Sequence, residues 1–100
     1  MREVQLEKIF VEGISDIGGW AIKMNPAGLR GIPDRLVLLP GGLVFFVELK
    51  IKTGRLAPWQ TRIHERLAGL GFRVHTLWTR EAVDEFLSKA FVAVKCKSSF

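Results

Sequence analysis

The stretch GIPDRLVLLPGGLVFFVELK, residues 31–50, constrains the fold more than any other part of the chain. Two apolar runs flank Pro40-Gly41-Gly42, which is a hairpin signal between strand-forming residues. They predict strands over about 34–39 and 43–50. The run LVFFVEL is apolar almost throughout, as expected of a strand covered on both faces. Charges stand only at the open end, with Asp34 and Arg35 at the start and Glu48 and Lys50 at the finish. Charged side chains are almost never buried unless they are paired or bind a metal.

Register decides what those charges do. With an odd loop, Pro40-Gly41-Gly42, Asp34 lies directly opposite Glu48 and both side chains share one face. Lys50, two residues beyond Glu48, shares that face as well. Two facing carboxylates repel, and a divalent cation such as Mg²⁺ or Mn²⁺, suited to hard oxygen ligands, relieves the repulsion. A two-residue loop would instead set Arg35 opposite Glu48 in a plain cross-strand salt bridge. Both registers are open to the sequence, and the covered character of LVFFVEL favours the first.

The remaining chain supplies layers for that hairpin. Residues 3 to about 17 read as an amphipathic helix whose apolar face holds Val4, Leu6, Ile9, Phe10, Val11, Ile14 and Ile17. Glu3 suits the helix N-terminus, but Glu7 interrupts the apolar face. Trp20 to Met24 alternates as a short strand, followed by the Gly- and Pro-rich loop NPAGLRGIP. Pro58 opens a helix running to about Leu70, with Gly71 after it. FRVHTLW, 72–78, reads as a strand, and Thr79 caps a helix through about Lys89. The order of helix, three strands, helix, strand and helix is that of an α/β sandwich with a mixed sheet. Residues 91–100, FVAVKCKSSF, are set apart from a domain over 1–90, as an added strand, a dimer contact or a basic tail.

Composition narrows the class. A length of 100 residues and 48% hydrophobic content fit one domain with one core. No apolar run approaches the roughly 18 to 20 residues of a membrane span, and no signal-peptide core precedes the first helix. One cysteine, Cys96, excludes an internal disulfide, so an intracellular, cytoplasmic protein is expected. The net charge of +5 favours a polyanionic partner, most often nucleic acid. His64, one turn after Gln60 on the same helix face, could act as a base or a phosphate contact but reads more readily as surface or semi-buried, and His75 receives no role. Trp20 and Trp78 are expected in the core, whereas Trp59 beside Pro58 is open to base stacking.

GIPDR, a hairpin and VELK, with Glu7 on the first helix and Gln60 in RLAPWQ, together resemble the PD-(D/E)XK nuclease superfamily. More narrowly, they resemble the virus-type replication-repair nuclease (VRR-NUC) domain family, and the likeness covers most of residues 3–88. It implies the restriction-endonuclease-like αβββαβ core with an added C-terminal helix. It also implies that Asp34, Glu48 and the Leu49 main-chain carbonyl hold Mg²⁺ or Mn²⁺, with Glu7 reaching the metal directly or through water. Lys50 would orient or activate the attacking water, and Gln60 would support the lysine or contact the phosphate. Lys23, Arg30, Arg35 and Lys52 are candidates for holding the DNA backbone, contacts that position without reading sequence.

The function expected from this resemblance is that of a structure-specific DNA endonuclease in a bacterial or phage-infected cell. A homodimer acting on branched DNA, like a Holliday-junction resolvase, is the leading form. The alternatives are a monomeric flap or nicking nuclease working with a helicase, a non-catalytic DNA-binding subunit, and a restriction-type enzyme. The last would need sequence-reading loops for which so short a chain has little room.

Overall fold

A computed structural model describes residues 2–51 and 54–96. Its elements are α1 (Glu3–Asp16), β1 (Trp20–Lys23), β2 (Arg35–Leu39), β3 (Leu43–Leu49), α2 (Pro58–Gly69), β4 (Arg73–Leu77) and α3 (Arg80–Cys96). The strands form one sheet in the order β1-β2-β3-β4. β1, β2 and β3 pair antiparallel, and β4 joins β3 in parallel after the α2 crossover. The mixed sheet flanked by helices is the α/β architecture expected.

The hairpin adopts the odd register. Arg35 pairs with Val47, Val37 with Phe45 and Leu39 with Leu43, leaving Pro40, Gly41 and Gly42 as the loop. The Gly42 N–H donates to the Leu39 carbonyl at 3.2 Å, and Gly41 has φ of +89°. Proline second and a positive-φ glycine third in a four-residue turn is the type II pattern, which a side chain at Gly41 would strain. Continued past its last pair, this register sets Asp34 opposite Glu48. The alternative pairing of Arg35 with Glu48 is thereby excluded.

Alternation along the strands sorts the residues into two layers. Val37, Phe45, Val47, Leu49 and Leu77 share one face and enter the buried core with Leu6, Phe10 and Ile14 of α1 and Val83, Phe86 and Ala90 of α3. Phe86 meets Phe10 and Phe45, with ring centroids 5.6 and 5.7 Å apart, and so joins both helices to the sheet. Such tilted and edge-to-face pairs add to simple burial. The opposite face carries Asp34, Leu36, Leu38, Val44, Phe46 and Glu48, and α2 lies against its β3–β4 half.

Two expectations are corrected. Residues 91–96 continue α3 instead of forming a strand, because Ala90 and Ala93 keep the helical spacing of the buried stripe begun by Val83 and Phe86; Lys97 to Phe100 lie outside the described residues. Trp20 is 66% exposed, not part of the core. It sits on edge strand β1, on the sheet half that α2 does not reach. Thr79 caps α3 as expected, its Oγ1 accepting the Ala82 N–H at 3.0 Å.

Candidate active site

The open end of the hairpin brings four of the expected residues together. Glu48, next to last in β3, is only 2% exposed although its side chain is ionisable. Asp34, just ahead of β2, accepts the Leu49 N–H on Oδ2 at 3.1 Å. The Lys50 ammonium lies 4.0 Å from Glu48 Oε2. The lysine's own N–H donates to the Leu77 carbonyl at 3.0 Å, which carries the β3–β4 pairing one residue past the strand. Gln60 comes from α2. Its Oε1 accepts the Ala57 N–H at 2.8 Å at the helix start, which turns Nε2 towards Glu48 Oε2 at 3.4 Å. An amide whose oxygen is fixed by a backbone donor must offer its NH₂ group to the carboxylate.

Backbone polarity prepares a further oxygen. N–H and C=O of one strand residue point to the same edge, and successive residues alternate edges. The Asp34 carbonyl accepts the N–H of Met24, just after β1, at 2.8 Å, so buried Pro33 turns towards β3, where the register sets it opposite Leu49. Proline has no N–H, so β2 has no donor for the Leu49 carbonyl. That carbonyl is left facing the Asp34 side of the site.

Charge in the site is out of balance. Burial, reinforced by the facing Asp34 side chain and opposed by Lys50, pushes the Glu48 carboxyl up to about 8. Burial also pulls His64 below the ordinary histidine range, against the attraction of Asp34 and with help from Lys50. Glu48 Oε1 is shut off from solvent and has no hydrogen-bond partner among the described residues. Facing carboxylates, one unsatisfied carboxylate oxygen and a carbonyl without a ladder donor form the oxygen set that a hard divalent cation uses. Among the described residues no three His, Cys, Asp or Glu side chains converge, so two carboxylates and the main chain would have to suffice.

No family model matches the sequence. It is 46% identical over 77 residues to p44, provisionally named a nuclease, of Acyrthosiphon pisum secondary endosymbiont phage 1, over 77% of this chain and 83% of that protein. A solved structure described as a VRR_NUC domain superposes with a TM-score of 0.81 at 33% identity, covering 86% of this chain and 94% of the other. The chain belongs to the VRR-NUC family.

Glu7, expected at the VRR-NUC centre, and Arg35, expected to hold the DNA backbone, are engaged with each other. Arg35 Nη2 donates to Glu7 Oε1 at 2.6 Å, while Nη1 donates to the Ala21 carbonyl at 3.1 Å. Arg35 shares the sheet face of Val37, which α1 covers, so this pair lies across the sheet from Glu48. Glu7 interrupts the apolar face of α1 because a cation waits there. With its side chain 11% exposed, Arg35 is turned inward and not presented to a DNA backbone. Lys23 is open, 68% exposed and 4.0 Å from Glu7. Arg30 is exposed, its guanidinium 3.6 Å above the Trp59 ring, and Lys52 lies outside the described residues.

His64, expected at the surface or semi-buried, joins the site. His64 is buried, with Nε2 3.9 Å from Glu48 Oε1. Its position four residues after Gln60, on one face of α2, was the available signal.

Proposed function

We propose that this VRR-NUC chain is a Mg²⁺- or Mn²⁺-dependent endonuclease that hydrolyses phosphodiester bonds in branched DNA. The observation that carries the reading is the Asp34–Glu48 pair beside Lys50 and Gln60 on one sheet face. Asp34, Glu48 and the Leu49 carbonyl would hold the metal, and Glu7, paired with Arg35, is left out of that set. A bound divalent ion supplies Lewis acidity to the phosphate and lowers the pKa of water. Lys50 stands beside Glu48 to orient the attacking water and to balance negative charge developing on the phosphate. Gln60 holds Glu48 Oε2 in place, and Arg30 and Lys23 offer exposed cations to flanking phosphates.

A VRR-NUC domain of this size has little surface with which to grip a branched duplex, which supports a homodimer presenting two sites to opposed strands. Among the described residues no helix is long and apolar enough to cross a membrane. The test is cleavage of four-way junctions, flaps, nicked and intact duplexes with Mg²⁺ or Mn²⁺, beside Glu48→Ala and Lys50→Ala. Metal-dependent cutting of junctions by the wild type alone is expected. Undiminished cutting by either variant would sink the assignment, and preference for flaps by a particle of monomer mass would replace the resolvase form.

A further inference from the structure

The two oxygens of Glu48 are treated differently by α2. Oε2 receives the Gln60 amide at 3.4 Å, with Lys50 at 4.0 Å. Oε1 receives nothing, although it is sealed from solvent. His64 Nε2 lies 3.9 Å away, and among the described residues it too is buried without a hydrogen-bond partner. Buried polar atoms left unpaired are rare, and two of them facing each other at 3.9 Å call for an explanation. Packing alone does not supply one, because a leucine or phenylalanine would fill the place without orphaning a nitrogen.

The helix accounts for the arrangement. Gln60 and His64 are one turn apart on α2, so each side chain reaches the same carboxylate from its own level. Gln60 is already locked by its bond to the Ala57 N–H. A small rotation of either side chain would bring His64 Nε2 and Glu48 Oε1 to hydrogen-bond length, about 2.9 Å. Each carboxylate oxygen has two lone pairs, so Oε1 can accept this bond and still face the Asp34 side.

We propose that His64 is a positioning residue which donates Nε2–H to Glu48 Oε1 and fixes the carboxylate orientation that receives the divalent cation. The proposal rests on the metal-site reading above and adds a residue to it. Groups that hold a ligand from behind commonly change metal affinity by about 10- to 100-fold when removed.

Isothermal titration of the full chain with Mn²⁺, without DNA, tests the idea on wild type, His64→Phe and His64→Gln, each checked for folding by its metal-free melting curve. His64→Phe should bind Mn²⁺ about tenfold or more weakly, and His64→Gln, which keeps a donor, should stay within about threefold of wild type. His64→Met, also without a donor, replaces the Phe variant if the larger ring prevents folding. A folded donor-free variant that binds Mn²⁺ like the wild type overturns the proposal. Equal losses in the Gln and donor-free variants overturn it as well, since the donor would then not be what counts. Wild type that binds no Mn²⁺ overturns the metal-site reading itself.

Discussion

Asp34 and Glu48 stand opposite each other because the loop joining β2 to β3 holds an odd number of residues, and burial, reinforced by that opposition, raises the Glu48 carboxyl. In the metal-free folded chain this group titrates near 8, against 4.5 unperturbed. Below pH 4.5 it is neutral in both folded and unfolded chains. Between 4.5 and 8 the unfolded chain releases a proton that the folded chain retains, so this contribution to stability falls as pH rises and levels off above 8. With EDTA present, the melting temperature of wild type relative to Glu48→Gln should therefore drop from pH 5 to pH 8. Mn²⁺ should raise the wild-type value more at pH 8 than at pH 5. A wild-type-minus-variant difference that stays level across this range would remove the argument.

Glu7 and Arg35 make a second relationship, on the other side of the sheet. The side chains are 32% and 11% exposed, between a surface pair and a buried one. Arg35→Ala should destabilise the fold by about 1–3 kcal/mol, above the range for exposed pairs and below that for fully buried ones. A double-mutant cycle with Glu7→Gln should show coupling, because each change removes the same bond. Urea denaturation measures both. Mn²⁺ affinity of Glu7→Gln should match wild type, and a large loss would return Glu7 to the metal set that the family resemblance implied.

These residues also mark what could be read from sequence. The odd register was favoured but not decided by the sequence, since Pro40, Gly41 and Gly42 suit a three-residue loop without excluding a two-residue one, whereas the layered order followed from the periodicity around that hairpin. The partner of Glu7 was not legible, since a helical wheel gives the face of α1 but not which side of the sheet it covers. The end of α3 was ambiguous because FVAV is a continuous apolar run with strand-forming residues, while Ala90 and Ala93 keep helical spacing. His64 was placed on the Gln60 face, but its burial depends on how closely α2 approaches Glu48.

The loop before Asp34 is held by a close approach. Gly31 has φ of +95°, and a Cβ there would lie 2.6 Å from the Trp59 carbonyl oxygen. That oxygen belongs to the first turn of α2 and has little freedom to withdraw. Gly31→Ala should lose about 1–2 kcal/mol to backbone strain, as for other non-glycine residues forced left-handed, and more to the contact. It should also lower cleavage more than stability, because the same loop carries Pro33 and Asp34. Melting and single-turnover cleavage measured side by side test this; equal, small effects on both would show that the loop shifts without disturbing Asp34.

Gly31 also sets Arg30 over Trp59, and this exposed stack adjoins Gln60 at the site. A guanidinium centred 3.6 Å from an indole ring is attracted to its face, and its exposed N–H groups suit phosphate. Trp59 is 39% exposed, which leaves ring surface for a base. In a Lys50→Ala background that binds without cutting, Arg30→Ala should weaken DNA binding and reduce the slope of log affinity against log salt by about 1. Trp59→Ala should weaken binding by about 1–3 kcal/mol, as expected for a lost stacking contact, with a smaller change in slope. Fluorescence anisotropy over a salt series separates the two effects. If neither variant alters affinity while both lower the melting temperature, the stack serves only to dock the loop on α2.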